Sequence, residues 1–250
     1  MSAKRTKSAA EKRIRRRNFS MFIIAVIILV CVCLFTPVFS VSNISVVGNS
    51  IHTNEAILSA SNIKKGDNLF LVNTKKAEAQ IMAMGHMENV KISRKFFSKL
   101  EITVTESLET AYVSFSGNYV GISASGKILS ISKSSKDSPK KPLVSGYALQ
   151  KPKVGEDMVG KDAKKTEILK SLLGALTENK LITFVKKIDI TDVSSIGLTL
   201  NSDTKIILGE DDQIDYKLKC LNAVLEELGE IRGGKINVSD PSNVIYEGGN

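Results

Sequence analysis

The longest apolar stretch lies near the start of the chain. From Phe19 to Asn54 there is no Asp, Glu, Lys or Arg, and the core of that stretch, Met21 to Phe39, reads MFIIAVIILVCVCLFTPVF. As a helix it would span about 28 Å, close to the hydrocarbon thickness of a bilayer. A helix satisfies its own backbone hydrogen bonds, so such a run can sit in lipid. Pro37 falls near its end, where one lost helical bond costs least. The run is longer than a usual signal-peptide core, and Val38-Phe39-Ser40 is a poor substitute for Ala-x-Ala. It therefore reads as an uncleaved transmembrane helix over 19–41.

Beyond it the pattern changes to short alternating segments. Ile44 and Val46 alternate with Asn43 and Ser45, which predicts a half-buried strand ended by Gly48-Asn49. Thr53 can cap a helix over 54–60, and Thr74 one over 75–84, with Ala77, Ile81 and Met84 on one side and Gly85 as the stop. Lys64 to Asp67 is a turn, and Leu69 to Val72 an apolar plug. Val90 and Ile92, then Leu100, Ile102 and Val104, alternate with polar residues, joined by a hairpin at Phe97 to Lys99. The order to residue 106 is strand, helix, helix, strand, strand, a small α+β unit.

Three short strands are predicted over 111–115, 119–122 and 127–131, with turns at Gly117-Asn118 and Ser125-Gly126. Residues 132–160, rich in Ser, Lys, Pro and Gly, read as an exposed loop or extended crossing. A helix over 162–178 turns Ile168, Leu169, Leu172, Leu173 and Leu176 inward. Strands follow at 184–190, 195–200 and 204–208. Ile214, Leu218, Leu221, Leu225 and Leu228 then form one stripe on a helix over 211–228, with Glu210, Asp211 and Asp212 at its favourable start. Lys235 to Ser239 is a last short strand, broken by Asp240-Pro241, and Gly248-Gly249-Asn250 a loose tail.

Charge enters the picture through its location. The chain of 250 residues carries +9, but residues 1–18 hold +7 of it. Arg13, Arg15, Arg16 and Arg17 precede the apolar run, and no basic residue follows until Lys64. The positive-inside rule then places a basic tail, 1–18, in the cytoplasm and the bulk of the chain outside, a single-pass type II arrangement. The near-neutral remainder and the absence of Trp argue against a nucleic-acid surface.

Candidate chemistry is sparse. Cys220 stands alone outside the apolar run and reads as a small buried or half-buried residue rather than a reactive thiol. His52 and His86 have no Cys or second His at ligand spacing, so no metal is expected. No nucleophile elbow, zinc-protease, P-loop or dinucleotide-binding motif is present. Asp189 and Asp192 read as turn residues. No enzyme, cofactor or small-molecule substrate is expected.

The ordered set VSNISVVGNS at 41–50, SNIKKGDNLFLVN at 61–73, VKISRKFFSKLEITVTE at 90–106, the pair Ala111 and Val113, TKIILGEDDQIDYKLKCLNAVLEEL at 204–228 and the strand KINVS resembles the FtsQ/DivIB family of bacterial cell-division proteins. The resemblance implies a POTRA domain at 42–106 and a mixed α/β "β domain" at 107–247. It also implies a non-catalytic scaffold at the division septum that links early and late division proteins and binds bitopic coiled-coil partners of the FtsB/DivIC and FtsL type. The chain departs from common family features at His86, Phe97 and Glu109, where proline is frequent, at Ile122-Ser123, and at Asn237, where Asp is common.

Strand addition at an open sheet edge is the physical mechanism expected for such docking. Carried onto this chain by the resemblance, the docking region is the expected C-terminal edge strand and tail: Ile236, Asn237, Val238, Ser239, Asp240, Pro241 and Ser242, with Val244 and Tyr246 as apolar anchors. The rival readings are a membrane-anchored POTRA-type translocation or assembly factor, which predicts repeated POTRA units or a barrel, and a cell-wall enzyme, which predicts a visible nucleophile or metal set.

Overall fold

The computed structural model describes residues 3–35, 39–96, 98–133 and 141–249. Its first element is helix α1 (Ala3–Phe35). Arg13, Arg15, Arg16 and Arg17 are exposed on it, and so are Phe19, Phe22, Ile24, Ile27 and Leu29. Among the described residues no helix is long and apolar enough to cross a membrane. The span expected over 19–41 includes residues 36–38, which lie outside the described residues, as does Phe97 of the expected hairpin.

The strand–helix–helix–strand–strand order forms as the periodicity predicts: β1 (Asn43–Val47), α2 (Asn54–Ser61), α3 (Thr74–Met82), β2 (Met87–Lys95) and β3 (Lys99–Glu106). The sheet order is β1-β3-β2, with β1 parallel and β2 antiparallel to β3. Ile57, Ala77 and Ile81 from the helices meet Val90, Ile92, Leu100, Ile102 and Val104 from the sheet in one apolar core. Thr53 caps α2 through the Ala56 N–H, as expected. The cap of α3 is Asn73, one residue before Thr74, because its carboxamide oxygen accepts from the Lys76 N–H at 3.0 Å. The expected plug at Leu69 to Val72 is buried at Leu69, whereas Phe70 and Leu71 are exposed.

The rest of the chain builds a nine-stranded sheet, in the order β12-β11-β10-β9-β8-β7-β4-β5-β6. Its strands are β4 (Ala111–Phe115), β5 (Asn118–Ile122), β6 (Ile128–Ser132), β7 (Leu143–Ser145), β8 (Val185–Asp189), β9 (Ile196–Leu200), β10 (Lys205–Gly209), β11 (Lys235–Asn237) and β12 (Ile245–Glu247). Helices α4 (Ala163–Glu178) and α5 (Ile214–Leu228) pack against each other. The predicted stripe of α4 is buried, and that of α5 is buried at Ile214, Leu218 and Leu221 and half-buried at Leu225 and Leu228. Each helix is the crossover of a β-α-β unit: β7 and β8 are parallel neighbours, as are β10 and β11.

The expectation for residues 132–160 fails. Residues 132–160 are no exposed crossing throughout. They contribute β7 to the middle of the sheet and bury Tyr147, Leu149 and Met158. Polar composition around it hid a strand of three residues, too short for its alternation of exposed Leu143 and buried Val144 to stand out. The acidic start of α5 also has a more specific role. Lys217 is buried, and its Nζ donates to Glu210 O at 3.1 Å and to Asp212 Oδ1 at 2.5 Å.

The two units are joined through the turn after α3. The His86 N–H donates to Leu129 O at 3.1 Å, and the Ser107 N–H to His86 O at 2.9 Å. Ser125 and Glu88 share a short hydrogen bond, and a Cβ on Gly155 would stand 2.7 Å from Met82 O. His52 and His86 come together there, with ring centroids 6.4 Å apart. Each faces a carboxylate, Glu106 at 2.9 Å and Glu109 at 3.6 Å. Among the described residues no group of three or more His, Cys, Asp or Glu could hold a metal ion.

Candidate functional site

The sequence-predicted docking residues converge on the C-terminal end of the nine-stranded sheet, with one correction. The strand bearing Ile236 and Asn237 is not the edge. It lies between β10, to which it is parallel, and β12, to which it is antiparallel. Ile236 and Val238 are fully buried in the core. They hold the edge in place and are closed to a partner. The chain then folds back as β12, pairing Ile245 with Asn237, Tyr246 with Ile236 and Glu247 with Lys235.

The connection between these strands is built by short polar side chains. Asn237 Oδ1 accepts from the Ser239 N–H and Asp240 Oδ1 from the Ser242 N–H, both at 3.0 Å, and Asp240 O accepts from the Asn243 N–H. Such local acceptors replace ladder bonds and let the chain reverse. Ser239, Asp240 and Ser242 are exposed, Pro241 is half-buried, and Val244 is half-buried against the core. Val244 is thus the anchor of the hairpin rather than a free contact.

The hydrogen-bond pattern fixes which backbone groups remain open. The Lys205 N–H donates to Gly234 O and the Val238 N–H to Ile207 O, so β11 spends Gly234, Ile236 and Val238 on β10. Alternation leaves Lys235 and Asn237 for β12 and turns the N–H and C=O of Tyr246 outward. Tyr246 is 38% exposed and Ile245 46% exposed, on opposite faces of the strand. The edge therefore offers one donor and one acceptor flanked by an aromatic and an aliphatic side chain. That arrangement can recognise an extended peptide but holds no group suited to covalent chemistry.

Gly234 makes the hairpin possible. Its φ is +77°, and a Cβ there would lie 2.5 Å from Glu247 O. Ile245 and Glu247 belong to this site and were not singled out in the sequence. The signal was present as VIYE, an apolar-aromatic run bounded by Asp-Pro-Ser-Asn and Gly-Gly.

Comparison with known proteins completes the site's context. Residues 39–107 match the family model for a POTRA domain of FtsQ type, and residues 111–242 that for the cell division protein FtsQ/DivIB C-terminal region. The chain belongs to the FtsQ/DivIB family of cell-division proteins. It is similar to two proteins named cell division protein DivIB from Clostridium botulinum. One, from strain Hall, is 29% identical over 90% of this chain and 88% of its own length; the other, from strain Loch Maree, is 30% identical over the same shares. A protein named cell division protein FtsQ from Corynebacterium glutamicum is 23% identical over 89% of this chain and 93% of its own. The first match covers the β-α-α-β-β unit and the second the sheet from β4 to β11, and membership gives the chain a role in cell division.

Proposed function

We propose that this family member is a non-catalytic scaffold of the division machinery, anchored by the apolar part of α1 and docking bitopic coiled-coil partners of the FtsB/DivIC and FtsL type on β12. Its basic tail, 1–18, lies in the cytoplasm and residues 42–250 outside, with a POTRA domain at 42–106 and a β domain at 107–247. It links early and late division proteins at the septum.

The observation that carries the docking reading is the open edge at Tyr246, whose outward N–H and C=O would be the first pair of a strand-addition ladder. The anchor reading draws on the uncharged stretch after Arg13, Arg15, Arg16 and Arg17 and on the exposure of Phe19, Phe22, Ile24 and Leu29 around α1.

The test joins position to binding. A fluorescent protein fused at Met1 should form a mid-cell band before constriction, and Tyr246→Pro should weaken capture of the coiled-coil partner without unfolding the chain. Even labelling around the whole membrane would sink the septal reading and favour a POTRA-type translocation or assembly factor. Unchanged capture by Tyr246→Pro would sink β12 as the docking edge.

A further inference from the structure

We propose that the β-α-α-β-β unit lies with one face on the bilayer, inserting Phe70, Leu71 and Phe96 among anionic phospholipid headgroups. The inference rests on the reading of α1 as a membrane anchor.

Two loops meet where the chain emerges from that helix. Phe35 and Phe39 are four residues apart, so their Cα atoms stand at most about 14 Å from each other. The Leu69 N–H donates to Phe39 O, the Val41 N–H to Asp67 O and the Gly66 N–H to Val41 O, all between 2.8 and 2.9 Å. The rings of Phe39 and Phe70 lie 5.2 Å apart. These contacts clamp the loop at 64–72 to the exit point. The β2–β3 hairpin is clamped beside it: the Ser42 N–H donates to Ser98 O at 2.8 Å and Ser42 Oγ to Ser98 Oγ at 3.0 Å. Arg94 ties one loop to the other, donating to Leu69 O at 2.8 Å and Val72 O at 2.9 Å.

Both loops carry large apolar side chains out of the fold. Phe70 is 54%, Leu71 66% and Phe96 86% exposed. The turn that presents Phe70 and Leu71 is held by Asn68, whose Oδ1 accepts from the Phe70 N–H. Phe96 sits at φ +53°, a left-handed conformation that bulky residues rarely take. An aromatic side chain held this way against water has an unfavourable neighbour, and lipid removes it.

Charge selects the partner. Lys64 and Lys65 on the first loop and Lys99 at the start of β3 are exposed and make no ion pair among the described residues, while Lys95 at the end of β2 is paired with Glu101. Unpaired lysines around inserted aromatics match an anionic headgroup layer. A tether this short holds the face at that layer continuously.

The chain contains no Trp, so single replacements are clean reporters. Full-length Leu71→Trp and Phe96→Trp would be reconstituted in phosphatidylcholine–phosphatidylglycerol vesicles with brominated acyl chains. Phe22→Trp in α1 and Tyr216→Trp on α5 serve as references. Expected are blue-shifted emission and bromolipid quenching for Leu71→Trp, Phe96→Trp and Phe22→Trp, and water-like, unquenched emission for Tyr216→Trp. Adding Lys64→Glu and Lys65→Glu to Leu71→Trp should weaken its quenching. Water-like emission from Leu71→Trp and Phe96→Trp beside a quenched Phe22→Trp would overturn the docking while leaving the anchor standing, and would assign the face to a protein partner. An unquenched Phe22→Trp would overturn the anchor and the docking with it.

Discussion

The two sheets treat their exposed edges differently. In the small sheet, β2 runs nine residues along an edge, and Glu78 of α3 reaches over it so that Oε1 accepts from the Ile92 N–H at 2.7 Å. In the large sheet, β6 is covered where the His86 N–H meets Leu129 O and where the Gly155 N–H meets Ile128 O. The opposite edge of that sheet, β12, has three residues and all of them are exposed. A long bare edge invites uncontrolled pairing, and charged or looped covers suppress it. The long edge is guarded and the short one is open, which suits a site that takes one short segment and rejects extended growth.

The comparison can be tested first by removing what supports the open edge. Ile236→Ala empties a fully buried site on β11 and should cost about 2 to 5 kcal/mol, read by chemical unfolding, with loss of partner capture. A loss of capture with undiminished stability would mean that β11 itself contacts the partner.

The small sheet has its own clasp at the end of β3. Burial by itself would raise the Glu106 carboxyl, but the N–H groups of Ile51 and Ser50, the His52 ring and the His52 N–H outweigh it and lower its pKa from 4.5 to about 2. A depressed folded-state value means that this stabilisation is complete above about 4.5 and is lost as pH falls from there toward about 2. Glu106→Gln should cost about 1.5 to 3 kcal/mol near neutrality and flatten the acid limb of the stability profile. An unchanged acid limb would show that the clasp contributes nothing.

Uncovering the guarded edge should have a smaller effect on stability. Glu78→Ala frees the Ile92 N–H and should cost about 1 to 2 kcal/mol while promoting self-association, measured by sedimentation. A strictly monomeric variant would mean that Glu78 does not act as a guard.

The least effect on folding is expected from Tyr246→Pro, because its lost N–H points away from β11 and edge strands tolerate proline. Partner affinity should still fall about tenfold, near 1.4 kcal/mol, in a titration that also includes Tyr246→Ala to separate the ring from the N–H. Equal losses in the two variants would assign binding to the side chain alone.

The sequence by itself determined the elements whose side chains report their surroundings. Ile168 to Leu176 and Ile214 to Leu228 wrote the buried faces of α4 and α5. The alternation in β1, β2 and β3 wrote the small sheet. Lys205 to Ser239 was legible as strand, helix and strand, so the neighbourhood of the site was found. Its identity as interior or edge was not. Three-residue strands such as β7, β11 and β12 are too short for a period to emerge, and their rank in the sheet depends on pairing partners far away in sequence. Only the tertiary structure could decide that Gly234 lets Glu247 pass within reach, that Tyr246 lies across from Ile236, and that the backbone of Tyr246 is the one facing out. Hydrogen-bond register is a relation between strands, and a single strand does not carry it.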